Sequence, residues 1–216
     1  MIASQSGLAA IPDELSSADA APLLCAGLTT YNALRNSPAR PGDLVVVQGI
    51  GGLGHLGVQF AARMGFRVVA VARGAEKAPL AKQLGAHHYI DSEAEDPVAI
   101  LRSLGGANLI LATASNSKSM SALIDGLAPR GRMIVVGIPA GSEPIEVTPA
   151  QLCFGSRSVE GVLTGSTIDN EDALAFSALE NIRPMIETVP LEKAADAYGR
   201  MLRNEARFRM VLLTGQ

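Results

Sequence analysis

From Leu44 to Thr164, short apolar runs alternate with stretches whose apolar positions recur at helical spacing. The runs 44–49, 67–72, 87–91, 108–113, 132–137 and 158–164 are short and rich in Val, Ile, Leu and Ala, and are predicted as strands. Between them lie predicted helices at 53–64, 76–84, 96–104 and 117–127. The last places Met120, Leu123, Ile124 and Leu127 at i, i+3, i+4 and i+7, a stripe suited to lying on a sheet. Pro79 falls in the early turns of the second helix and Gly85 just past its end, the expected start and stop signals. Alternation of this kind predicts right-handed crossovers and a parallel α/β sheet with helices on both faces.

The ends read differently. Residues 17–36 are predicted as two short helices meeting near Cys25-Ala26-Gly27. Three prolines make 139–149 a loop with a short extended piece. Helices follow at 171–179 and 191–202, then a final strand at 208–213 for which the pattern supplies no sheet.

The most specific stretch is Gly49-Ile50-Gly51-Gly52-Leu53-Gly54, between the strand Leu44–Gln48 and an apolar helix. Strand, glycine turn and helix start are what a phosphate-binding βα unit requires, and they point to a doubly wound, Rossmann-type sheet. Gly49 allows the turn, Gly51 the close approach of a pyrophosphate, and Gly54 close packing of helix on strand. The helix start offers free N–H groups to phosphate. Gly52 and Leu53 belong to the same loop. Coenzyme choice is read at the end of the second strand, where an NAD enzyme carries an acidic residue. Here Ala72-Arg73-Gly74 has no carboxylate to repel a 2′-phosphate. Arg73 offers a fork of donors suited to one, with Lys77 a second candidate, so NADP is favoured and NAD remains possible. The bland alternative for Arg73 is a loop arginine without a ligand.

Among the 216 residues, 48% are hydrophobic but only 4% aromatic, which predicts an aliphatic core. A net charge of −3 gives no footprint for nucleic acid. No apolar run approaches the roughly 18 residues of a membrane span, and Met1-Ile2-Ala3-Ser4-Gln5 does not read as a signal peptide. Cys25 and Cys153 read as reduced thiols of a cytoplasmic protein.

Four stretches resemble the zinc-dependent, medium-chain alcohol dehydrogenases: Ala21–Tyr31 with its Leu-Cys-Ala-Gly-Leu-Thr core, Gly49–Gly57, Gly131–Gly137 and Arg207–Val211. The resemblance implies Cys25 as a ligand of a catalytic zinc and Thr29 as the threonine that touches the nicotinamide ring. It also implies Gly137, Ile138 and Val162 beside the coenzyme and Arg209 on its pyrophosphate. Complete members begin with a catalytic domain holding a further cysteine and a His-Glu pair, which are missing here. The chain therefore resembles a C-terminal portion: 1–26 a remnant with a connecting helix, 27–165 the dinucleotide-binding domain, 166–216 a segment returning to the catalytic domain. The family also implies a homodimer joined through the 158–164 edge strand.

Read without the resemblance, Cys25 is first a small buried helix residue, and Thr29 is equally a hydroxyl bonded to its own backbone. Arg209 is equally a solvated strand residue. His87 and His88 begin a strand at the end of the sheet away from ligands. His55, on the first turn after the glycine loop, is expected to face phosphate or solvent. The resemblance implies hydride transfer between NAD(P) and an alcohol or aldehyde, with this chain alone inactive because one cysteine cannot hold zinc. The alternatives are a zinc-free quinone or enoyl reductase of the same superfamily, and a non-catalytic dinucleotide-binding module.

Overall fold

The computed structural model of the chain describes residues 4–139, 141 and 143–215. Readings that touch Met1, Ile2, Ala3, Ala140, Ser142 or Gln216 lie outside the described residues. Six parallel strands form the main sheet: β1 (Leu44–Gln48), β2 (Arg67–Ala72), β3 (His88–Asp91), β4 (Ala107–Ala112), β5 (Leu127–Val135) and β6 (Ser158–Gly161). Their order is β3-β2-β1-β4-β5-β6, that of a doubly wound dinucleotide-binding fold. The predicted class and every one of the six predicted strands are present.

Strand side chains alternate between two cores. Val45 and Val47 of β1, with Val68, Ala70, Leu109 and Leu111 of its neighbours, join one apolar cluster; Val46, Val69, Val71 and Ile110 join the other. Helices α2 (Leu28–Arg35), α3 (Gly54–Arg63), α4 (Ala78–Gln83) and α8 (Thr167–Leu179) cover the first face. Helices α5 (Pro97–Ser103) and α6 (Ser117–Leu123) cover the second. Each fully buried aliphatic side chain contributes roughly 1.5–3 kcal/mol, which is why strands buried on both sides read as unbroken apolar runs. Three of the eight aromatic residues meet where α2, α3 and α8 pack together. There Tyr31 lies 5.5 Å from both Phe60 and Phe176, centroid to centroid.

The predicted pair of helices near Cys25 is one continuous helical path. Helix α1 (Ser17–Pro22) passes through a single wide π-turn, Leu23–Gly27, into α2. Pro22 lacks the N–H that would continue the regular ladder, and the Thr30 hydroxyl donates to the carbonyls of Ala26 (2.8 Å) and Gly27 (3.1 Å) behind the wide turn. Such turns are frequent at functional sites.

Several expectations are corrected. The final strand, β8 (Arg209–Leu213), does have a sheet: it pairs in parallel with β7 (Ile186–Pro190), which the sequence did not reveal. Helix α9 (Ala194–Leu202) connects the two. The loop predicted at 139–149 ends in a short helix, α7 (Pro149–Cys153), started by a reciprocal Thr148–Gln151 capping box. A second box, Ser166–Asp169, starts α8 four residues ahead of the expected position. The sixth strand stops at Gly161, although the Val162 N–H still donates to the Val135 carbonyl. Val162 itself packs against the first core.

Candidate functional site

A cleft of about 940 Å³ opens at the C-terminal ends of β1, β2 and β4. It lies where the strand order reverses, the place at which open α/β sheets bind ligands. One wall is the glycine loop, built by local constraints. Gly49 sits at φ +92°, a conformation that disfavours any side chain. A Cβ at Gly54 would overlap the carbonyl oxygen of Gly49, so no larger residue fits there. Nothing lies within 4 Å of a Cβ built on Gly51, which leaves the loop open to an approaching ligand.

Helix α3 starts at this loop with no side-chain cap. The other helices entered directly from a loop, α1, α5, α6, α7 and α8, are capped by Ser16, Asp96, Asn116, Thr148 and Ser166. The N–H groups of His55 and Leu56 turn back onto the carbonyls of Gly51 and Leu53, so the N–H groups of the loop ahead of them are the ones offered to an anion. Arg209 arrives from the far end of the chain to close it. Its Nε donates to the Gly52 carbonyl at 3.2 Å, and a Cβ on Gly52 would lie 2.7 Å from that nitrogen. Burial lowers the pKa of the guanidinium, opposed by the nearby Cys25. A partly desolvated cation beside a helix start strengthens any phosphate contact.

His55 holds this arrangement and corrects the expectation that it faces phosphate or solvent. It is fully buried. Its Nε2 accepts the Met185 N–H at 3.1 Å, so the ring proton resides on Nδ1 and donates to the Gly51 carbonyl at 2.9 Å. The Met185 carbonyl in turn accepts from the N–H groups of Phe208 and Arg209. The Phe208 ring packs against the imidazole at a 33° tilt, with centroids 5.0 Å apart. One buried histidine thereby links the glycine loop to the strand that delivers Arg209. Burial, the largest cause, pushes its pKa down to about 4.

Beyond the end of β2, Arg73 and Lys77 line the cleft. The turn is shaped by Gly74, whose N–H donates to Asp91 (2.9 Å) and whose carbonyl accepts from Tyr89 (2.5 Å). Sequence reasoning missed two carboxylates that follow β3: Glu93 and Asp96 also line the cleft. Asp96 is committed to capping α5 through the N–H groups of Val98 and Ala99. Also missed were Gln48, Thr113, Ser119 and Asn204. Thr113 donates to the Gln48 carbonyl at 2.7 Å and so ties β4 to the start of the glycine loop. Nothing local in the sequence marks these residues.

Of the predicted site residues, Gly49, Gly51, Gly52, Leu53, Arg73, Lys77 and Arg209 line the cleft together, with Gly54 directly beneath. Gly137 presses on the backbone of Thr113 and Ala114, and Ile138 beyond it is exposed. Thr29 is buried, and its hydroxyl donates to the Leu163 carbonyl at 3.1 Å, which fastens the segment after β6 to α2. Cys25 is exposed on the π-turn. Among the described residues no three His, Cys, Asp or Glu side chains converge as a metal centre requires, so these residues do not by themselves fit a catalytic zinc. No helix among them is long and apolar enough to cross a membrane.

The family model described as zinc-binding dehydrogenase matches residues 52–179. The alcohol dehydrogenase patD of Penicillium expansum is 44% identical over 202 residues, 94% of this chain and 58% of the relative. A cinnamyl alcohol dehydrogenase from Sorghum bicolor superposes with a TM-score of 0.86 at 32% identity, covering 97% of this chain and 59% of that structure. CAD from Helicobacter pylori complexed with NADP(H) superposes with a TM-score of 0.82 at 27% identity, over 94% of this chain and 57% of that one. The chain thus spans less than two thirds of the length of the relatives it matches. With its strand order, glycine loop and sequence matches in agreement, this chain belongs to the zinc-binding, medium-chain dehydrogenase family.

Proposed function

We propose that this chain is the coenzyme-binding part of an alcohol dehydrogenase and takes NADP(H) in the cleft above β1, β2 and β4. The observation that carries the reading is the uncapped start of α3 with the Arg209 guanidinium laid over Gly52. The loop N–H groups and Arg209 hold the pyrophosphate, and Gly51 leaves room for its approach. Arg73 and Lys77 hold the ribose 2′-phosphate. When bound, the coenzyme supplies or accepts the hydride that passes to or from an aldehyde or alcohol. Thr29 and Cys25 serve the reacting end of the complete enzyme, where Cys25 would be one of several ligands to zinc, and Gly137, Ile138 and Val162 border the nicotinamide half. Because Cys25 is the single candidate ligand at that end among the described residues, the 216-residue polypeptide by itself binds coenzyme without holding zinc or turning over. The protein acts in the cytoplasm as a homodimer. Support for the dimer is the outer edge of β6, which pairs with no strand among the described residues, with Leu163 75% exposed beside it.

Fluorescence titration with NADPH and NADH tests the coenzyme reading. A charge-assisted fork contributes roughly 1.5–3 kcal/mol, so NADPH should bind about tenfold tighter or more, and Arg73→Ala should erase most of the difference. Equal affinities, or an unchanged preference in the variant, refute the assignment. Metal analysis and reduction of aldehydes on the same sample test the rest; stoichiometric zinc with turnover refutes the inactive reading.

A further inference from the structure

Gln48 closes β1 with its side chain toward the α5/α6 face, 4% exposed, and lines the cleft. Its Nε2 donates to the Ser119 hydroxyl at 2.8 Å. The single proton of that hydroxyl goes to the Asn116 carbonyl at 2.9 Å. Ser119 can therefore only accept from Gln48, which sets which way the amide faces. The other end, Oε1, is buried and has no hydrogen-bond partner in the protein. A buried, unpartnered acceptor in a ligand cleft marks a place where a donor belongs.

The surroundings indicate which donor. Val71, Pro97, Val98, Ala122 and Leu123 form apolar walls on this side of the cleft, suited to a flat heteroaromatic ring. The pyrophosphate contacts lie on the loop that follows Gln48, and the 2′-phosphate contacts at Arg73. What remains of the adenosine half is its base. Resting on the NADP(H) reading above, we propose that Gln48 reads that base, its Oε1 accepting a hydrogen bond from the 6-amino group of adenine. Ser119 is a positioning residue that keeps the amide oxygen turned into the cleft. A purine bearing a 6-oxo group presents an acceptor to an acceptor, and the site then leaves both unpaired.

The test is fluorescence titration with NADPH and with its deamino analogue, which carries hypoxanthine in place of adenine. On the wild-type chain NADPH should bind about tenfold tighter or more than the analogue. Gln48→Met, similar in length and apolar, should bind the two within about twofold, chiefly through weaker binding of NADPH. Ser119→Ala removes the restraint on the amide and should narrow the difference while Gln48 remains. Equal binding of the two coenzymes by the wild type overturns the inference and leaves the coenzyme reading standing. Discrimination that survives in folded Gln48→Met also overturns it. Should Gln48→Met fail to fold, as judged by circular dichroism, the wild-type comparison together with Ser119→Ala decides, and full discrimination in Ser119→Ala counts against the inference. Binding of neither coenzyme overturns the NADP(H) reading, and this inference with it.

Discussion

His55 makes stability depend on pH with a sign and size that follow from its burial. The ring is neutral in the folded chain, with a pKa of about 4, against about 6.5 for an exposed histidine. Between those values the unfolded chain binds a proton that the folded chain refuses. The stabilisation is therefore fully present above pH 6.5 and is lost as the pH falls toward 4. The gap between those two values corresponds to roughly 3 kcal/mol in all, of which about 2 kcal/mol is gone by pH 5. Protonation at Nε2 would also sever the bond from Met185, and Met185 holds Phe208 and Arg209. Urea unfolding of the wild type and His55→Gln at pH 5 and pH 7.5 isolates the effect. The variant should be less stable at pH 7.5 by about 1–3 kcal/mol, having lost part of the bridge. It should also lack about 2 kcal/mol of the wild type's loss on going to pH 5. Equal pH dependence in the two proteins, or an imidazole that titrates near 6.5 by NMR, would refute the reasoning.

Other outcomes are as specific. Gly51→Ala should leave Tm within about 2 °C, since the added methyl meets open space, yet weaken NADPH binding about tenfold or more by standing where the phosphate approaches. Gly54→Ala should instead cost several kcal/mol of stability, because its methyl collides with the Gly49 carbonyl. A normal Tm for Gly54→Ala contradicts this account of the loop. Leu163→Asp, on an exposed side chain beside the open edge of β6, should convert a dimer into a monomer by sedimentation without lowering Tm. An unchanged mass removes the edge from the interface.

By itself the sequence determined the local parts: six strands, most helix positions, and a glycine loop whose chemistry pointed to a phosphate. Each of these rests on near neighbours, whether a strand buried on both faces, an apolar stripe at helical spacing or a backbone turn only glycine makes. The tertiary structure decided what depends on residues far apart in the chain. β7, with the mixed pattern Ile186-Glu187-Thr188-Val189-Pro190, shows no strand alternation, and exists because β8 lies beside it. His55 looked like a surface residue until Met185 and Phe208 closed over it. Gln48 looked like the end of a strand until Ser119, 71 positions later, claimed one side of its amide and left the other free. Arg209 acts on Gly52 across 157 positions. Periodicity records which face of an element meets apolar neighbours, whereas burial of a polar group and its partners is set only when separate elements pack together.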